Sequence, residues 1–260
     1  MKKECKVPWL LAGIGAMFFM VQSSVSAADK VVVIPLNSKM KTADATTPCN
    51  TSNAGLTRWS GSAFEGCNGA AWIFLSVPTV YSSGHEWMDR NLGASQVAER
   101  SNDEQAYGDL YQWGRFHDGH EKRNSITVQK QSSGDVPGHG NFILPPGMEN
   151  DWRNPSNDNL WQDTGINNPC PPGFRLPTNI EWQNEMQSWT SQNATGAFAS
   201  PLKLVLAGRR EGVDGSIGDI GEGGNYWSSD GGVGLFISNS NATMGGFDRK
   251  SGLSIRCVKD

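Results

Sequence analysis

The chain has 260 residues, 31 of them glycine and 10 tryptophan, and a formal net charge of −4. Setting aside the first 27 residues, which hold three lysines and one glutamate, deepens that charge to −6. This balance gives no support to nucleic-acid binding, which normally rests on a basic patch. In chain order, Lys2, Lys3 and Lys6 precede an apolar span from Val7 to Val21, followed by the small residues Val25-Ser26-Ala27. Charged, apolar and small residues in that order predict a secretory signal peptide over residues 1–27, cleaved after Ala27. The span of 15 residues falls short of the roughly 20 that a membrane-crossing helix needs. The expectation is an exported protein without a transmembrane anchor after processing, placed in the periplasm, on the cell surface or outside the cell. A retained N-terminal anchor is the alternative.

The remaining 233 residues suit one large domain, or one with a small appendage. Lys30 to Leu36 predicts a short strand ended by Pro35, and the Ser/Thr/Asn/Gly-rich stretch to Gly69 predicts irregular chain. Together, residues 28–84 read as a strand and a disulfide-tied irregular segment. Ala71 to Val80 is a continuous apolar run bounded by turn formers, which predicts a buried strand, and Glu86 to Leu92 is an ambiguous one. The acidic start Asn102-Asp103-Glu104, leading to Ala106, Leu110 and Trp113, predicts a short helix ended by Gly114. Residues 117–170 read as a long loop, either functional or held by Phe142, Trp152 and Trp161.

A second helix is predicted from Thr178 or Asn179. Thr178 can cap the orphan amides, Glu181 completes a capping box, and Trp182, Met186 and Trp189 make one apolar stripe. Glu181 and Glu185 read most simply as a charged outer face. Short antiparallel strands follow: Leu202 to Ala207, Asn225 to Ser229, Gly234 to Ser238, a segment near Met244 to Phe247, and Leu253 to Val258. The fold class expected is α+β with long loops. Cys5 leaves with the signal segment, and four cysteines remain with no C-x-x-C among them, which argues against a zinc knuckle or a thioredoxin-like site. Four cysteines allow three pairings; sequence order favours Cys49 with Cys67 and Cys170 with Cys257.

Six ordered blocks carry a resemblance. They are Trp87-Met88-Asp89-Arg90-Asn91-Leu92-Gly93-Ala94, Tyr107 to Arg115, Asp118-Gly119-His120, Asn168 to Trp182, Tyr226-Trp227-Ser228-Ser229, and Ser254 to Asp260. Over residues 85–260 the chain resembles the Fibrobacter succinogenes major paralogous domain. That resemblance implies an exported bacterial domain similar to the C-type lectin-like fold, a group that includes the formylglycine-generating enzymes.

Three constellations bear on chemistry. His117 and His120 flank Asp118, but two imidazoles need a further ligand to hold zinc, so a structural turn is the simpler reading. Asp214, Asp219 and Glu222 place hard oxygens among glycines, as a Ca²⁺ site does. A solvated loop is the simpler reading there too, so no cofactor is expected and Ca²⁺ is the alternative. The Glu-Pro-Asn, Gln-Pro-Asp and Trp-Asn-Asp triplets of calcium-dependent sugar-binding lectins do not occur. No nucleophile and base can be named together, which weighs against an enzyme. The leading expectation is a binding module for a glycan, peptide or envelope component. Its face would comprise Asn225, Tyr226, Trp227, Asp230, Asn239 and Asn241, although Trp227 reads first as core. A structural envelope protein comes second, and a formylglycine-generating-type oxidase third.

Overall fold

Tryptophan sets the architecture, because an indole brings a large apolar body and one N–H that must find an acceptor when buried. In the computed structural model seven buried indoles each find one. Trp87 donates to the Ser82 carbonyl, Trp113 to Ser228, Trp152 to Trp113, Trp161 to Asn167, Trp182 to Trp227 and Trp227 to Tyr111. Trp189 donates to the Glu185 carboxylate. Most of these acceptors are loop or strand-end carbonyls, so the side chains supply backbone hydrogen bonds that short elements cannot supply for themselves.

The structure describes residues 46–260 apart from 55, 60–63, 75–76 and 163–164. The signal segment predicted over residues 1–27 and the strand predicted at 30–36 lie outside the described residues. The chain divides into Met1–Ser38 and Lys39–Asp260, and everything below belongs to the second unit.

The elements begin with β1 (Thr57–Trp59), β2 (Phe64–Cys67) and β3 (Trp72–Phe74), an antiparallel three-stranded sheet held to the preceding turn by the Cys49–Cys67 disulfide. Next come β4 (Thr79–Ser82), β5 (His85–Met88), β6 (Tyr111–Gln112), β7 (Thr127–Val128), β8 (Phe142–Ile143) and β9 (Phe174–Arg175). Two helices follow, α1 (Asn179–Gln187) and α2 (Ala194–Ala199). The chain closes with β10 (Ala207–Arg210), β11 (Ile217–Ile220), β12 (Gly223–Trp227), β13 (Val233–Ser238), β14 (Ala242–Gly246), β15 (Gly252–Leu253) and β16 (Val258–Lys259). One sheet runs β14-β13-β12-β10-β15-β6, with β11 added to β10, and another runs β4-β5-β16-β9. The fold is α+β, mostly strand, with two helices and two disulfides.

Helix α1 starts as its sequence dictates: Thr178 Oγ1 accepts from the Glu181 amide and Glu181 returns the bond to the Thr178 amide at 2.8 Å. The outer-face reading of Glu181 and Glu185 is corrected. Both are buried, Glu185 completely, because at i and i+4 they share the helix face that carries Trp182 and Trp189. Glu181 receives both arms of the Arg175 guanidinium, at 2.8 and 2.7 Å.

Other expectations shift for local reasons. The helix predicted after Asn102 is a single 3-10 turn, Glu104–Ala106, followed by β6. Gly108 ends it with a φ of +69°, and a Cβ there would stand 2.5 Å from the Leu92 carbonyl oxygen. The run from Ala71 to Val80 divides into β3 and β4, with Pro78, which has no N–H to give a ladder, between them. Residues 202–206, buried apart from Lys203, are connecting chain rather than strand, since the Tyr226 hydroxyl both accepts from the Val205 amide and donates to its carbonyl, each at 2.8 Å. The closing strand is interrupted between β15 and β16. There Arg256, fully enclosed, donates to Asn91 and to the Leu202 carbonyl, and Cys257 is bonded to Cys170. Both faces of this last segment are therefore covered.

Candidate functional site

The residues expected to recognise a ligand separate into two sets. Asn225, Tyr226 and Trp227 lie on β12, whose every residue is buried. Trp227 packs against Trp161 and Phe247 and has no solvent-facing atom to offer a ligand. All three are enclosed in the core rather than set on the surface. Asp230 is exposed in the turn after β12, where its carboxylate accepts the Asn179 amide at 2.6 Å, the first amide of α1. Asn239 and Asn241 are exposed on the turn between β13 and β14, with Asn241 bound to Ser238 Oγ at 2.7 Å.

The acidic residues considered for Ca²⁺ are held apart. Asp214 accepts from the amide and hydroxyl of Ser216, Asp219 pairs with Arg209 at 2.8 Å, and Glu222 stands exposed. Among the described residues, the group whose ligand atoms come within 4.8 Å of one another is Asp118, His120 and Glu121. Its chemistry is that of a structural turn. His120 is fully enclosed, its Nδ1 lies 2.7 Å from Asp118 Oδ1, and its Nε2 accepts the Gln112 amide at 3.1 Å. The ring is therefore the Nδ1–H tautomer with both nitrogens engaged, leaving no lone pair for a cation. Burial lowers its pKa to about 4 despite the opposing pull of Asp118. Burial would raise the Asp118 carboxyl, but the bond to His120 and the Arg115 charge hold it at about 2.

The open surface beside Asp230 is a groove of about 360 Å³, within the usual range for small-ligand sites. Three distant segments build it: residues 150–156, the glycines 231–232, and residues 246–249. Phe247 stands edge-on over the buried Trp227, 5.8 Å between rings, so the core indole supports the groove from below. Arg249 lies 4.6 Å from the Trp113 ring centroid, at 3.4 Å from Asp151, and is paired with Asp158. A Cβ at Gly231 would stand 2.3 Å from Arg249 Nη2, so a side chain there would have to displace the guanidinium. Asn150, Ser156 and Asp248 add exposed hydrogen-bonding groups around one half-buried phenyl ring. Sequence reading found the neighbourhood through Asp230 but missed residues 247–249, whose signal was an aromatic and charged run straight after paired glycines. Protein-family models, curated proteins and solved structures were compared with this chain, and none matches it.

Proposed function

We propose that the chain is an exported bacterial binding module, similar over residues 85–260 to the Fibrobacter succinogenes major paralogous domain and to the C-type lectin-like fold, and that it acts without catalysis. The observation that carries this reading is the closure of Cys170 with Cys257 in the core. A formylglycine-generating relative needs a reactive thiol pair, and here both sulfurs are consumed in a bond that ties the last strand to the entry of α1. What is left for function is loop surface on a rigid scaffold, the usual place for recognition. The groove beside Asp230 is its ligand site, with Phe247 as an apolar floor and Asn150, Ser156 and Asp248 as polar contacts. A hydroxyl-rich ligand such as a glycan fits that mixture best, ahead of a peptide. Among the described residues no helix is long and apolar enough to cross a membrane.

The test is binding of the mature protein to a broad glycan array, a peptide array and envelope preparations, repeated with Asn150→Ala and Asp248→Ala combined. Losing two polar contacts should weaken a saturable interaction by about tenfold or more with the thermal midpoint unchanged. A complete set of arrays without saturable binding, or a double variant that binds as well as the parent, sinks the proposal.

A further inference from the structure

A second cleft, sharing no lining residue with the groove, lies between the 3-10 turn at Glu104–Ala106 and the edge strand β11, with a volume of about 520 Å³. Its fixed point is Arg123. Nε donates to the Gly108 carbonyl at 2.8 Å and Nη2 to the Ala207 carbonyl at 2.9 Å, while the guanidinium faces the Tyr107 ring at 5.3 Å. Nη1 is left without a partner, and Arg123 enters no ion pair among the described residues. A guanidinium held this way presents a pre-oriented positive edge at little entropic cost.

The opposite wall is apolar for an unusual reason. Ile217 and Ile220 are three apart on β11 and would face opposite sides of a regular strand. Asp219, between them, has a φ of +59°, and Gly208, which lies across from it in the register, has a φ of +73°. The left-handed residue breaks the alternation, and both isoleucines line the same cleft. The Asp219 carboxylate pairs with Arg209 at 2.8 Å. Ile220 remains half exposed. Positive-φ residues other than glycine are costly and concentrate where a surface is shaped for use.

We propose that this cleft binds a small apolar carboxylate, with the carboxylate on the free edge of Arg123 and the apolar body against Ile217 and Ile220. One guanidinium edge matches a carboxylate in bidentate geometry. The Glu104 carboxylate on the rim disfavours a dianion such as phosphate. A free apolar amino acid and the C-terminal residue of a peptide share this chemistry.

The probes are leucine, N-acetyl-leucine, a tripeptide ending in leucine, and N-acetyl-leucinamide, each titrated into the mature protein with isoleucine methyl groups observed by NMR. Saturating shifts of the Ile217 and Ile220 methyls are expected with a carboxylate and not with the amide. Tighter binding of the tripeptide than of leucine assigns a peptide terminus, and the reverse order a free amino acid. Ile220→Asp, at an exposed position, should weaken binding about tenfold with an unchanged thermal midpoint, whereas the Asn150→Ala and Asp248→Ala pair should leave these shifts alone. Arg123→Lys should abolish them if it folds; Ile220→Asp decides the matter if it does not. The proposal is overturned if no carboxylate at about 10 mM, well above a weak Kd of about 1 mM, moves either methyl, if the amide moves them equally, or if Ile220→Asp binds unchanged.

Discussion

His120 stabilises the fold only while it is neutral. The unfolded chain takes up a proton near pH 6.5, whereas the enclosed imidazole does so only near pH 4. Between those values the unfolded state binds more protons, so stability rises with pH. The contribution is complete above about pH 6.5 and is lost as pH falls to about 4, while Asp118 and Glu181, both held at about 2, are still ionised. His117, half buried and also lowered by burial, adds in the same direction. Unfolding free energy from urea titrations should therefore decline between pH 7 and pH 4.5. His120→Asn should lose about 2 kcal/mol at pH 7, having left the Gln112 amide or the Asp118 carboxylate unpaired, and should flatten that slope. A slope as steep in the variant as in the parent would show that other groups govern this window.

At the level of elements, α1 displays both what could be read from the chain and what could not. Its start is a local event: Thr178, three residues of spacing and Glu181 suffice to write the capping box. The burial of Glu181 is not local. It depends on Arg175, delivered by β9, and on the β5-β16-β9 sheet against which the segment rests. Likewise the tryptophan at position 227 was legible as core, but the groove above it was not, because residues 150–156, 231–232 and 246–249 meet only through tertiary contacts. The disulfide-linked ends were legible because four cysteines allow only three pairings and sequence order favours one of them. Burial alone would raise the Glu181 carboxyl, and the Arg175 fork and the Thr178 amide bring it instead to about 2 from 4.5. Its stabilisation is thus present above about pH 4.5 and lost as pH falls toward 2. Glu181→Gln should cost about 2 kcal/mol at pH 7, and the difference from the parent should shrink below pH 4 in the same urea titration. An equal difference at pH 7 and pH 2.5 would mean that packing, not charge, accounts for the loss.

For the whole molecule, the two disulfides do different work. Cys49–Cys67 closes 18 residues and holds the three-stranded sheet β1-β2-β3. Cys170–Cys257 closes 87 residues and lies inside the cluster that contains Trp113, Trp152, Trp161 and Trp227. On the chain-entropy account the short loop contributes about 3 kcal/mol and the long one about 4.6. Domain stabilities run only about 5–15 kcal/mol, so losing the long bridge removes a third or more of the total. The two losses should also look different. Cys49→Ser with Cys67→Ser should lower the midpoint while leaving near-ultraviolet circular dichroism from the core tryptophans intact. Cys170→Ser with Cys257→Ser should cost more and broaden that signal, since the last strand and the segment entering α1 are no longer joined beneath the indoles. Protein lacking residues 1–27, denatured but unreduced, should titrate no free thiol. Titratable thiols in that sample, or a core signal indifferent to the second pair of substitutions, would return redox chemistry to consideration and remove the rigid scaffold on which the proposed recognition surfaces depend.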